Sequence, residues 1–116
     1  YEAGIAFYVG KLGFTLVEDT PLEDGKRWVL VSTDDGAQTR LLLAKAADSA
    51  QQAAIGNQAG GRVFLFLKTD DFDADQERFT AAGVRFLEAP RDEAYGKVAA
   101  FEDPFGNKWD LIQNRS

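Results

Sequence analysis

The sequence of 116 residues contains no cysteine and no histidine. Without cysteine the chain can form no disulfide, no thiolate nucleophile and no cysteine-ligated zinc site. Without histidine it lacks the commonest general base and the commonest ligand of transition metals, and a Ser-His-Asp triad cannot be assembled. Any metal site would therefore rest on carboxylates, amides or carbonyl oxygens.

Positive charge is also scarce, because 13 Lys and Arg residues face 19 Asp and Glu residues and the net charge is −6. Nucleic acids and anionic membranes both need a cationic surface, so neither is expected as a partner. No apolar run reaches the ~18 residues of a membrane span, and no segment resembles a signal peptide. The sequence thus predicts a soluble, globular, cytoplasmic protein.

The first half of the chain predicts one helix followed by three strands. Ile5, Ala6, Tyr8 and Val9 follow a helical period, which favours a helix over residues 1–11 that ends at Gly13. Alternating or β-branched segments then predict strands over residues 14–18, 28–32 and 39–44. The turn at residues 34–36 joins the last two strands into a hairpin.

The second half predicts a strand, a helix and three further strands. Residues 62–68 form the most apolar strand, which is expected to be buried on both faces. Asp70 and Asp71 precede a helix predicted over residues 72–82, and Gly83 ends it. Further strands are predicted over residues 84–87, 96–102 and 108–113, with a turn at residues 103–107.

The two halves repeat one pattern. The segment KLGFTLVED matches AAGVRFLEA, and each segment directly follows a predicted helix. The first half lacks only an initial strand, which is expected before Tyr1. The predicted fold is α+β, with two βαβββ modules, at about residues 1–46 and 62–116, joined by a linker at about residues 47–61.

Four motifs in this order carry a family resemblance: FYVGKLGF, GGRVFLFLKTDDF, GV.F...P and VAAFEDPFGNKWDLIQ. With them the chain resembles the glyoxalase/bleomycin-resistance/extradiol-dioxygenase group, the vicinal-oxygen-chelate superfamily. The resemblance implies paired modules that form a curled mixed sheet around a cavity, and a homodimer. It leaves the reaction open, because members include lyases, isomerases, dioxygenases, thiol transferases and drug-binding proteins.

The resemblance also implies where a metal would be held. The histidine position of the second module falls on Arg62, the late-strand position of the first module on Leu42, and the closing glutamate on Asp110. Arg62 and Leu42 depart from the metal pattern, while Asp110 keeps a carboxylate. Asp110 is therefore the one candidate metal ligand among the residues present, and the resemblance places the ligand of the first module before Tyr1.

Strand alternation divides the side chains between a cavity face and a helix face. A mostly apolar wall with a few polar groups is typical of small-molecule pockets. Trp28 and Phe64 could stack on a planar ligand, or could equally pack in a core or a dimer interface. The predicted ligand-binding residues are Trp28, Arg40, Leu42, Arg62, Phe64, Phe66, Ala100 and Asp110.

The sharpest hypothesis pairs Arg62 with Asp110, so that a guanidinium occupies the place of a metal. Asp110→Ala would then cost on the order of 3 kcal/mol, because Arg62 would be left unpaired. The alternatives are an Arg62 that is solvated or binds an anionic group of a ligand, and an Asp110 that is a satisfied polar residue. Glu102 and Asp110 could also act as an acid-base pair.

Two functions follow from these residues. The first is a glyoxalase/bleomycin-resistance-like protein that binds a small, partly apolar molecule, with an anionic ligand as one option, in a cavity without a cofactor. The second is a lyase or dioxygenase dependent on a divalent metal (Mg, Mn, Zn or Fe) with Asp110 as a carboxylate ligand.

Overall fold

The computed structural model describes residues 1–115, and the chain divides into two compact units, residues 1–49 and the part from Ala50 onward. The first unit contains the strands β1 (Thr15–Pro21), β2 (Arg27–Ser32) and β3 (Leu41–Leu43). The second unit contains β4 (Leu65–Lys68), β5 (Arg85–Phe86), β6 (Arg91–Glu93), β7 (Gly96–Glu102) and β8 (Lys108–Asn114).

Two helices lie close to their predicted positions, and a third, the second along the chain, lies where the linker is predicted. They are α1 (Glu2–Ile5), which continues as a π-helix over Ala6–Lys11, then α2 (Ser49–Ala54) and α3 (Phe72–Ala81). A short 3-10 turn occupies Glu23–Gly25. None of the described helices combines the length and the apolar character that crossing a bilayer requires.

The first unit is a three-stranded antiparallel sheet in the order β1-β2-β3. Val29 and Val31 of β2 are fully buried on one face of it. Arg27 ties the opening helix to this sheet, because its guanidinium hydrogen-bonds the Asp19 carboxylate at 2.6 and 3.0 Å and also pairs with Glu2. The Tyr1 hydroxyl accepts from the Arg27 backbone N–H at 3.1 Å.

The second unit is a mixed sheet in the order β4-β8-β7-β5, and β6 pairs with the first three residues of β7. β4 runs parallel to β8, and β7 runs antiparallel to β8. Helix α3 covers one face, where Phe101 lies 6.0 Å from the Phe79 ring and stacks on Trp109 at 6.0 Å. We call this the helix face.

The α+β class and the paired-module architecture predicted from the sequence are confirmed, while each sheet is open rather than closed. The predicted module boundaries and the enclosed cavity stay predictions. The expected burial of residues 62–68 on both faces is wrong, because Phe66 is 66% exposed. The strand also begins at Leu65, since Gly60 and Gly61 with positive φ place Arg62 in the preceding turn.

Asp103 organises the turn between β7 and β8. Its buried carboxylate accepts hydrogen bonds from the backbone N–H groups of Phe105 and Asn107 at 2.9 Å each and from the Asn107 side chain at 2.7 Å. The turn sets the register in which β8 returns beside β7.

We expect Asp103→Ala to lower the free energy of unfolding by about 2–3 kcal/mol, because donors in the turn lose their acceptor. Urea denaturation measures the change. Asp34→Ala is the matched control, since Asp34 accepts one bond from Gly36 N–H in an exposed turn, and should cost less than about 1 kcal/mol. Equal losses in the two variants would contradict the proposed role of Asp103.

Candidate ligand-binding face around Asp110

The register of the second sheet surrounds Asp110 with apolar side chains. Paired strands place Phe66 of β4 on one side of Asp110 and Ala100 of β7 on the other. Val98 and Ile112 form the next cross-strand pair on the same face. We call this surface the Asp110 face. It comprises Phe64, Phe66, Val98, Ala100, Asp110 and Ile112.

The alternation that builds this face is the one predicted from the sequence. Asp110 and Ile112 lie on one side of β8, while Trp109 and Leu111 lie on the helix face and are buried. On β4, Leu65 and Leu67 point toward the helix face and Phe66 lies opposite Asp110. Phe64 extends this row, since its backbone N–H donates to the Lys108 carbonyl at 2.8 Å.

Asp110 is half-buried, and its Oδ1 is a buried oxygen that receives no hydrogen bond from the described residues. Loss of hydration raises the pKa of the Asp110 carboxyl above its ordinary value, since burial penalises the charged form. Nearby Arg91 lowers this pKa and Glu88 raises it, but both effects are smaller than desolvation. Within residues 1–115, Oδ1 of this carboxylate thus has no hydrogen-bond partner.

Arg91 does not neutralise Asp110, because two other carboxylates already hold it. Its Nε donates to Glu88 at 2.9 Å and its Nη1 donates to Glu93 at 2.7 Å. Both hydrogen bonds raise the pKa of the Arg91 guanidinium, and the bond that Arg91 donates to Glu88 has the larger effect. The second oxygen of Glu88 accepts the Ala100 backbone N–H at 2.8 Å, so Glu88 is also committed.

The predicted pair of Arg62 and Asp110 is wrong for the described chain. Arg62 is exposed and lies in the turn before β4, and the register places Phe66, four residues later, beside Asp110. The sequence alignment of the halves located the strand but not its register. Arg40 is likewise exposed and precedes β3, so its side chain does not belong to a strand.

The other predicted residues have separate positions. Trp28 and Leu42 lie on one face of the first sheet, where they are 42% and 48% exposed. Phe64 is 41% exposed and Ala100 is half-buried on the Asp110 face. Glu102 forms an ion pair with Arg85 at 3.0 Å, which does not support the proposed acid-base pair with Asp110.

Sequence reasoning missed the strand β6 and the cluster of Glu88, Arg91 and Glu93. The segment RDEAYG has no apolar alternation, which is the usual signal of a strand. Short charged edge strands are common in proteins because charge discourages edge-to-edge association. The only available signal was this concentration of charge between Pro90 and Gly96.

This arrangement of strands and faces has counterparts among known proteins. Residues 1–111 match the Glyoxalase/Bleomycin resistance protein/Dioxygenase superfamily. The chain belongs to this superfamily. An uncharacterized protein of Shewanella frigidimarina (strain NCIMB 400) is 53% identical over 114 residues, which are 97% of this chain and 84% of that protein.

Two solved structures of the superfamily's fold are similar to this chain. UcmS2 superposes with a TM-score of 0.81 at 28% identity, covering 96% of this chain and 87% of that one. TnmS3, an antibiotic binding protein from Streptomyces sp. CB03234, superposes with a TM-score of 0.77 at 35% identity, covering 98% of this chain and 86% of that one. Superfamily membership thus extends over nearly the whole chain.

The unpartnered carboxylate reverses the sign of the stability effect that the sequence predicted for Asp110. Because its folded-state pKa is raised, the folded chain holds this proton more tightly than the unfolded chain. Stability is therefore lost as pH rises from the ordinary pKa through the folded one. We expect Asp110→Asn to raise the free energy of unfolding at pH 7 by less than about 1 kcal/mol, because the residue is half-exposed and solvent screens its charge.

Urea denaturation between pH 7 and pH 3.5 measures this effect, and the gain should shrink toward zero at about the ordinary aspartate pKa. Asp92→Asn is the matched control, because Asp92 is an exposed carboxylate of β6 that lies opposite Lys97 in the strand register, away from the Asp110 face. It should change stability by less than about 0.5 kcal/mol. A destabilised or pH-independent Asp110→Asn variant would show that Asp110 has a partner.

Proposed function

We propose that this member of the superfamily binds a small, largely apolar molecule on the Asp110 face without a metal. The observation that carries the proposal is the exposure of two neighbouring aromatic side chains, Phe64 at 41% and Phe66 at 66%, beside a half-buried carboxylate. Apolar walls with a few polar groups are the usual composition of small-molecule sites.

The exposure of these rings needs a reason, because aromatic side chains contribute most to folding when they are buried. On β4 the half-buried positions Leu65 and Leu67 point to the helix face, and the exposed Phe64 and Phe66 add little to the core. Contiguous exposed apolar groups mark ligand or partner surfaces more often than plain surface. The similarity to an antibiotic binding protein at 35% identity supports a small-molecule ligand.

A metal-dependent reaction is the second candidate, and the unpartnered Asp110 Oδ1 favours it. The donor set does not fit a divalent ion, however. Within residues 1–115 no three carboxylates converge as ligands, and the side chains beside Asp110 in the sheet are Phe66 and Ala100. Glu88, the nearby second carboxylate, is held by Arg91 and by the Ala100 N–H. We therefore derive no reaction step for this candidate.

The remaining expectations stay predictions. These are the homodimer, the cytoplasmic location, and ligand contacts by Arg40 and Arg62 and by Trp28 and Leu42 of the first unit. Light scattering of the purified chain tests the first of them.

To test the binding proposal, a panel of planar aromatic antibiotics is screened against the purified chain. Isothermal titration calorimetry then measures the dissociation constant of each compound that binds. We expect Phe66→Ala to weaken binding at least about fivefold, because truncating an aromatic contact residue typically costs more than about 1 kcal/mol. Phe105→Ala is the control, since Phe105 is also an exposed phenylalanine, at 41% against 66% for Phe66, but lies in the turn before β8. Equal effects of the two variants, or binding by no compound, would contradict the proposal.

Metal dependence is tested by thermal unfolding with added Mg²⁺, Mn²⁺, Zn²⁺ or Fe²⁺ and with EDTA. A ligand that binds the folded state stabilises it by mass action. We expect the melting temperature to stay within about 1 °C in each case, because a single half-buried carboxylate binds divalent ions weakly. A rise of several degrees that EDTA reverses, and that Asp110→Asn abolishes, would support the second candidate.

A further inference from the structure

Asp110 has apolar cross-strand neighbours, while Lys68, Arg91 and Lys108 lie on the same face at other register positions. Its flanking residues in the sheet, Phe66, Ala100, Val98 and Ile112, offer it no hydrogen-bond donor. Its buried Oδ1 has no partner among the described residues. Oδ1 is inaccessible, but the residue as a whole is half-buried, so a ligand on this face can approach the carboxylate only from the side of Oδ2.

The cations around Asp110 are engaged elsewhere or lie away from it. Arg91 binds Glu88 and Glu93, and Arg85 binds Glu102. Lys108 Nζ donates to the Gly61 carbonyl at 3.2 Å. Lys68 is exposed at the end of β4, where its neighbour in the register is Ile112 rather than Asp110.

A carboxylate in this position attracts a cation more strongly than a solvated one. Interactions between charges strengthen as water is excluded, and a charge-assisted hydrogen bond is about twice as strong as a neutral one. The exposed rings of Phe64 and Phe66 beside it supply apolar contact for an aromatic group. The face thus combines an aromatic surface with one carboxylate that forms no ion pair within residues 1–115.

We propose that the ligand of the Asp110 face is a planar aromatic compound that carries a basic amine, and that the amine pairs with the Asp110 carboxylate. This inference rests on the proposed small-molecule function and names the chemistry of the ligand. It replaces the anionic ligand that Arg62 suggested, because Arg62 lies in the turn before β4.

Three probes of matched size separate the contribution of charge from that of the ring: 1-naphthylmethylamine, 1-naphthylmethanol and 1-naphthoate. Protein NMR titrations at millimolar probe measure their dissociation constants at pH 7. We expect the amine to bind about tenfold more tightly than the alcohol, and the carboxylate to bind more weakly than either.

Variants assign the preference to Asp110. Asp110→Asn should bring the amine-to-alcohol affinity ratio close to one, while Asp110→Glu should retain most of the preference. Asp92→Asn removes the same charge from β6, at the position opposite Lys97 in the strand register. It should leave the amine-to-alcohol affinity ratio as in the parent chain. The chemical shifts of residues distant from the substitution report whether each variant is folded.

The outcomes test the amine inference separately from the proposed small-molecule function. If the naphthyl probes bind on the Asp110 face with equal affinity, or if Asp110→Asn keeps the preference, the amine inference is wrong and small-molecule binding stands. If no probe shifts resonances of Phe64 or Phe66 at millimolar concentration, the proposed function itself is wrong.

Discussion

The position of β8 between a parallel and an antiparallel neighbour is the constraint on which the second unit depends. Hydrogen bonding to β4 on one side and β7 on the other fixes which residues flank Asp110. The same pairing sends Trp109 and Leu111 to the helix face, where they are buried with Phe101. A shift of one residue would exchange the two faces, so core packing and the Asp110 face are set by one register.

The Asp110 face differs from the metal-binding pattern that the family resemblance implies. The motif that resembles a metal-binding segment retains a carboxylate at Asp110, yet the neighbouring strand presents Phe66 rather than a second ligand. Arg91 is held by Glu88 and Glu93, so it forms no ion pair with Asp110. The result is an unpartnered carboxylate among apolar side chains, which is unfavourable in the free chain and is available for a ligand.

Much of the fold could be predicted because its signals are local. The helix ending at Gly83, the Asp71 cap and the alternation along β7 and β8 each depend on a few adjacent residues. The site was harder to predict, because Arg62 and Asp110 are 48 positions apart in the sequence. Whether their side chains meet depends on the register of the strands. The strand β6 escaped prediction for another reason, since its charged residues carry no hydrophobic pattern.

The sequence alone was enough to predict the superfamily, the order of the elements except α2 and β6, and the two faces of the main strands, because glycine positions, turns and apolar period act locally. It also excluded every chemistry that needs cysteine or histidine. Tertiary structure alone decided that Phe66, and not Arg62, lies beside Asp110, and that Glu88 and Glu93 occupy Arg91. Strand register and side-chain pairing arise only when distant segments meet, so no local pattern records them.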